Sequence, residues 1–426
     1  MIHWPAPVAG GPLHGLVVVP GSKSASARSL LLAALAETSS TLTGVLASRD
    51  TALMRTGLTV LGAEFTDLSD GSLEVRPAAR ILGGGTIDCG LAGTVMRFLP
   101  PLAALASPAT SFIGDAAASA RPVDALLAAL AALGAEVSEP YRVPFSVSGT
   151  PAVRGGSVSV DASASSQFVS ALMLAGARYP DGLTITHSGR TLPSLPHIEM
   201  TATLLARRGV EVDRPSEFTW QIAPGPIAAI DETVEPDLTN AATLLAAALV
   251  TGGELHTAWP EGSVQAADQL LALLAAFGAR ISYSGLGTDR TVTVSGADGV
   301  RGADVDLHAV SELTPVAAAL AAVASGPSTI RGVAHIRGHE TDRLAALATE
   351  LTGLGVEATE TADGLSVTPT PRHAGTFHTH ADHRLAHAAA LVGLVTPGVE
   401  LDDVGCTTKT LPDFVGTWSR LVGVAS

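Results

Sequence analysis

The chain of 426 residues carries two lysines, Lys23 and Lys409, and its other 23 basic side chains are arginine. A chain so poor in lysine uses arginine wherever any cation serves. These two positions therefore read as places that need a compact, strongly hydrated ammonium and not a guanidinium fork. Lys23 lies in Pro20-Gly21-Ser22-Lys23-Ser24, a small-residue turn, and Lys409 in Cys406-Thr407-Thr408-Lys409-Thr410, a run of hydroxyls. Lysine among glycine and hydroxyls suits an anionic oxygen ligand, above all phosphate. Other charged residues stand in similar company. Lys23 and Arg28 bracket a helix start, which itself favours anions, although the spacing is not that of a P-loop. Asp88-Cys89-Gly90-Leu91-Ala92-Gly93-Thr94-Val95-Met96-Arg97 offers backbone that a ligand can approach. Ser163-Ala164-Ser165-Ser166-Gln167-Phe168 is another hydroxyl-rich helix start. Taken singly, each reads equally well as an ordinary Ser/Gly cap.

The second half supplies acids and further cations. Ser311-Glu312-Leu313-Thr314-Pro315 puts a carboxylate just before a helix, and Arg337-Gly338-His339-Glu340-Thr341-Asp342-Arg343 packs five titratable groups into seven residues. Ala381-Asp382-His383-Arg384 follows. A charge cluster is ordinarily a solvated face. Glu312, His339 and Glu340, however, stand among apolar helical sequence, where buried acids and bases acquire shifted pKa values. His378, His380 and His383 have the makings of a metal site, but no second cluster completes it, and no metal or cofactor is assigned.

The bulk properties set limits. The formal net charge is -15, from 25 basic and 40 acidic residues. Nucleic acid is a poor partner for such a chain; a small anionic substrate needs only a local cationic pocket. Hydrophobic residues make up 46% and aromatics only 4%, so the cores are Leu, Val and Ala, the composition of helices packed on sheets. Cys89 and Cys406 form neither a disulfide framework nor a CxxC metal spacing. The opening Met1-Ile2-His3-Trp4-Pro5 lacks the basic start and apolar core of a secretory signal. Apolar runs such as Ala241 to Val250 are too short to span a bilayer. The reading is a soluble cytoplasmic protein with no membrane partner.

One pattern must position these groups. A Leu/Ala-rich helical stretch ends at glycine and an alternating strand follows at once, at Gly62, Gly134, Gly209, Gly278 and Gly355; the glycines are 72, 75, 69 and 77 residues apart. Glycine just past a helix is the left-handed cap. A second strand then makes a hairpin. The period is too long for a solenoid and fits a unit of roughly two helices and four strands. Five visible copies and a worn one at the C-terminus give six units, hence an α/β (α+β) chain of two similar lobes with three units each. Two extended segments, Leu16–Gly21 and Glu232–Leu238, read as crossovers. They place the boundaries at 1–19 with 234–426 for one lobe and 20–233 for the other, with a site expected in the cleft between them.

The motifs together resemble the 5-enolpyruvylshikimate-3-phosphate (EPSP) synthase family. PGSKS, LAGTVMRF, ARP at Ala120-Arg121-Pro122, SSQF, HETDRL, ADHR and TTKTLPDF occur in that family's order along essentially the whole chain. The resemblance implies lobes of βαβαββ-type units, an inside-out α/β barrel, and a monomer. It implies transfer of the enolpyruvyl group of phosphoenolpyruvate to the 5-hydroxyl of shikimate 3-phosphate, in chorismate biosynthesis, through a tetrahedral intermediate. By resemblance, Lys23, Ser24, Arg28, Ser165, Ser166, Gln167, Ser194, Glu312 and His339 match positions that hold shikimate 3-phosphate. Lys23, Gly93, Arg121, Gln167, Arg343, Arg384 and Lys409 match the phosphoenolpyruvate clamp. Glu312 matches the acid near the attacking hydroxyl and Glu340 the residue that protonates the methylene carbon; Lys23 and His339 complete the catalytic set. Gly93 also matches the glycine of members sensitive to glyphosate, which occupies the phosphoenolpyruvate site.

Some positions depart from the commonest family pattern. Ala27 stands for Asn, Leu91 for the Asn of NAGT, Glu312 for Asp and His339 for Lys, and the loop Gly114–Ser119, with alanine at 116–118, lacks a basic residue. The sister UDP-N-acetylglucosamine enolpyruvyl transferases usually carry a Cys where this chain has Ala116. The remaining alternatives are an enolpyruvyl transferase acting on another phosphorylated alcohol, and a non-catalytic paralogue that only binds anions.

Overall fold

The computed structural model describes residues 1–423 and divides into two units, Met1–Pro20 with Pro236–Ser426, and Gly21–Glu235. Each is built from one motif. In the Gly21–Glu235 unit, Thr86–Asp88 pairs in parallel with Thr110–Ile113, which pairs antiparallel with Phe145–Ser148, and this in turn with Glu136–Val137. Gly156–Val160, Leu183–His187, Thr219–Ile222 and Val212–Ser216 repeat that order. So do Glu232–Thr233, Ser40–Thr43, Leu73–Arg76 and Glu64–Asp67. The last strand of the unit thus pairs beside its first, and Arg208 ties it down through an ion pair to Glu232 at 2.9 Å.

The other unit follows the same plan with one exception. His14–Leu16 lies parallel to Glu254–Ala258, followed by Thr291–Ser295 and Arg280–Ser284. Asp304–Asp306, Ser328–Arg331, Leu365–Thr368 and Glu357–Glu360 form the next sheet. The third has Gly375–Phe377 parallel to Val399–Leu401 and no hairpin; Trp4–Pro5 supplies its third strand. The five glycines of the sequence pattern all have positive φ and precede the five hairpins. The worn sixth copy is the sheet without a hairpin.

Each unit centres on helices buried on nearly every face, the mark of an interior helix. Leu238–Thr251, Thr314–Val323 and His383–Gly393 pack against one another and are buried almost end to end. Alanines at 241, 242, 246–248, 317–319, 321, 322, 386 and 388–390 let their backbones approach closely. In the Gly21–Glu235 unit, Lys23–Ala34 and Gly93–Phe98 both pack on Gln167–Gly176. Lys23, Ser24, Gly93, Ser165, Ser166, Gln167, Glu312 and Arg384 sit at or just before the N-terminal ends of these interior helices. Among the described residues, no helix is long and apolar enough to cross a membrane.

Candidate active site

Lys23 opens the helix Lys23–Ala34, whose N-cap Ser22 accepts the amide of Ala25. Gly21 before it is obligatory: a Cβ there would lie 1.9 Å from the carbonyl oxygen of Gly44. One turn on, Arg28 is buried, and its guanidinium donates to Thr201 Oγ1, Ser170 Oγ and the carbonyls of Ser24 and His197. Burial pushes its pKa down to about 9. In this arrangement Arg28 ties the helix start to the helix Leu195–Arg207, and most of its donors are spent on protein. Ser194, at the N-cap of that helix, is buried with φ 52°, a left-handed conformation that costs a non-glycine residue on the order of 1–3 kcal/mol. The start of Gln167–Gly176 leaves the Ser166 hydroxyl out of capping, while Ser165 Oγ accepts the amide of Gln167 at 3.3 Å.

A second group forms around Gly93, the first residue of its helix. Arg121 donates Nη1 to the carbonyl of Leu91 at 2.7 Å. Arg97 donates Nη1 to Gln167 Oε1 at 2.8 Å and is braced by the carbonyl of Pro122. A Cβ at Gly93 would stand 3.0 Å from Arg97 Nη1 and 3.1 Å from Arg121 Nη2. Gly93 is therefore the space between two guanidinium groups. The side chain of residue 91 has no part in holding Arg121; its carbonyl does the work, which any residue type supplies.

In the other unit the charges form one network. Arg343, the first residue of the helix Arg343–Gly353, is buried against Asp382, with Nε 2.6 Å from Oδ2 and Nη2 3.2 Å from Oδ1. Its Nη2 also reaches Glu340 Oε2 at 2.9 Å, and Lys409 Nζ lies 2.6 Å from Glu340 Oε1. Burial alone would lower the pKa of Arg343; the Asp382 and Glu340 carboxylates outweigh it and hold the group above its ordinary value. Asp382 caps the helix His383–Gly393, accepting the amide of Arg384. The Arg384 side chain meets Asn240 Oδ1 at 3.3 Å, and Asn240 is fixed by the carbonyl of Thr410. Burial lowers the pKa of Arg384, opposed by the Asp237 carboxylate.

His339 Nδ1 stands 3.1 Å from Arg343 Nη1. A guanidinium only donates, so this nitrogen accepts and the proton of the neutral ring is on Nε2. Burial, and then the charge of Arg343, push its pKa well below the ordinary imidazole range. His339 thus offers a neutral N–H donor where the common family pattern has an ammonium. Glu312 lies in the 3-10 turn Ser311–Leu313, before Thr314–Val323. It acts electrostatically on His335, His339, Arg343 and Arg384. Burial holds the pKa of His335 down to about 4, and its Nε2 contacts Ser311 Oγ at 2.9 Å.

His378, His380 and His383 do not converge. They meet Asp402, Glu350 and Asp382 respectively, and among the described residues no group of three or more His, Cys, Asp or Glu is placed to hold a metal ion. Burial pushes both thiols up to about 12, so Cys89 and Cys406 are unreactive near neutral pH. Sequence reasoning singles out neither Asn240 nor His335, and it shows Arg97 and Asp382 as members of charged motifs without their partners Gln167 and Arg343. A visible signal existed for Asn240, a lone amide in an apolar helical run.

The burial of Arg343 yields a stability prediction. Asp382→Ala removes the carboxylate that compensates a buried guanidinium and should cost about 3–5 kcal/mol, read from denaturant unfolding. A loss under about 1 kcal/mol would show that the pair does not hold this unit together.

The comparisons with known proteins follow the same lines. A family model described as EPSP synthase (3-phosphoshikimate 1-carboxyvinyltransferase) matches residues 8–418. A curated 3-phosphoshikimate 1-carboxyvinyltransferase from Kocuria rhizophila is 49% identical over 433 residues, covering 99% of this chain and 96% of that protein. Among solved structures, an EPSP synthase from Acinetobacter baumannii superposes with a TM-score of 0.78 at 22% identity, covering 98% of this chain and 96% of that one. The enolpyruvyl transferase NikO from Streptomyces tendae gives 0.74 at 21%, covering 97% and 96%. At those identities the structures speak to fold, and the fold is that of the enolpyruvyl transferases. Matched over nearly its full length by the family model and at nearly half identity by a curated relative, the chain belongs to the EPSP synthase family.

Proposed function

We propose that this protein transfers the enolpyruvyl group of phosphoenolpyruvate to the 5-hydroxyl of shikimate 3-phosphate and releases phosphate. The observation that carries the chemistry is Glu340, a carboxylate set between Lys409 and Arg343. It supports reading Glu340 as a proton carrier beside two cations that suit an anionic substrate. Lys23, Ser24, Ser165, Ser166, Gln167 and Ser194 hold shikimate 3-phosphate, with Arg28 fixing the wall behind them. Lys23, Gly93, Arg121, Gln167, Arg343, Arg384 and Lys409 hold phosphoenolpyruvate. In this reading the protein works as a cytoplasmic monomer.

The reaction balances with these groups. Glu340, as the acid, gives a proton to the methylene carbon of phosphoenolpyruvate, and positive charge develops at C2. The 5-hydroxyl oxygen bonds to C2 as its proton passes to Glu312, giving a tetrahedral intermediate. The bond from C2 to the phosphate oxygen then breaks, and the departing phosphate takes the proton held by Glu312. The methyl group returns a proton to Glu340, and the new double bond completes the enol ether. The neutral N–H of His339 donates to substrate oxygen without adding charge.

Phosphate release in the presence of both substrates, and of neither alone, tests the assignment; a chain that binds both and releases none is the silent paralogue. Glu340→Gln keeps the shape and loses the transferable proton, so kcat should fall by roughly 10²–10⁴. A variant within about threefold of wild type removes Glu340 from the chemistry.

Gly93→Ala puts a methyl against Arg97 and Arg121, and their guanidinium groups must move by a few tenths of an ångström. The expected outcome is a KM for phosphoenolpyruvate raised several-fold and weaker inhibition by glyphosate, which should compete with phosphoenolpyruvate. An alanine variant as sensitive as wild type would show that this space is not part of the anion site.

A further inference from the structure

We infer that Glu340 is an internal substitute for the incoming anion, and that its displacement is what turns it into an acid. The proposal rests on the reading of Glu340 as proton carrier. Arg343 carries two carboxylates of unlike standing. Asp382 is fully buried, binds it through both oxygens and caps a helix, so it cannot leave. Glu340 offers Arg343 a single oxygen from an irregular turn and gives its other oxygen to Lys409. Its side chain retains 11% exposure, against none for Asp382. Without substrate, Glu340 therefore neutralises the two cations that a phosphate or carboxylate would otherwise occupy.

The consequence follows from the charges facing Glu340. These are Arg343 and Lys409 in direct contact, the imidazole of His339 beside Arg343, and the Asp382 and Glu312 carboxylates that also act on Arg343. While it holds both cations, the carboxylate form of Glu340 is favoured. An arriving dianion takes over Arg343 and Lys409, leaving Glu340 with weaker cation contacts and a new negative neighbour. Both changes favour the protonated form. The substrate that needs a proton thereby creates its donor.

The sign of one substitution separates this arrangement from a structural role. Glu340→Gln removes the charge that competes for Arg343 and Lys409. It should bind phosphoenolpyruvate, titrated alone so that no turnover occurs, at least about threefold more tightly than wild type, although its kcat falls. Calorimetry in two buffers of different ionisation enthalpy should show wild type taking up more protons on binding than Glu340→Gln. Weaker or unchanged binding by both Glu340→Gln and Glu340→Ala, or equal proton uptake, overturns the proposal. Inorganic phosphate, titrated in parallel, tests the exchange even if wild type does not turn over phosphoenolpyruvate, an outcome that would sink the function instead.

Discussion

Arg343 is buried against a carboxylate, and the chemistry of one unit hangs on that pairing. Asp382 supplies it permanently, through two bonds and from a position with no exposure. The same carboxylate caps the helix that begins at His383 and so fixes the backbone of Arg384. Glu340 and His339 approach from the other side and complete the arginine's contacts. One guanidinium thus sets the places of an acid, a neutral imidazole donor and a second arginine. Its cost is the desolvation of charge, which only intact pairing offsets.

The interior helices explain why the charges can be held there at all. Their flanks are alanine and leucine and their N-terminal ends carry Lys23, Gly93, Gln167 and Arg384, with Glu312 just ahead of one of them. Helix N-termini favour anions through their unpaired N–H groups and dipoles. The strained residues sit in the same places. Among the described residues, the non-glycine positions with positive φ are Ser194, His380 and Ala381. The first caps a helix and the other two form the turn leading to Asp382, where tight packing can sustain unfavourable backbone.

Much of the architecture was legible because it repeats. A glycine that must be left-handed after a helix leaves a periodic trace, and five such traces foretold five hairpins. The sixth sheet was visible only as a faded copy, since the strand completing it, Trp4–Pro5, lies at the far end of the chain. The chemical motifs were legible as residue types, but their pairings were not. Lys409 and Glu340 are 69 residues apart, and Arg343 and Asp382 are 39 apart; nothing local in the sequence joins them. Arg28 shows the converse: a lone arginine at a helix start reads as a ligand contact, and its bonds to hydroxyls and carbonyls of distant segments are invisible in the sequence.

Lys23 and Lys409 serve as ammonium groups that a guanidinium cannot replace, and kinetics of Lys23→Arg and Lys409→Arg test this most directly. Lys409 reaches Glu340 at 2.6 Å as a compact point charge, a contact the broader arginine fork cannot reproduce without moving the carboxylate. Each variant should lose at least about tenfold in kcat/KM for phosphoenolpyruvate, equivalent to roughly 1.4 kcal/mol, with thermal stability nearly unchanged. Wild-type kinetics in both would contradict the account and return the two lysines to the protein surface.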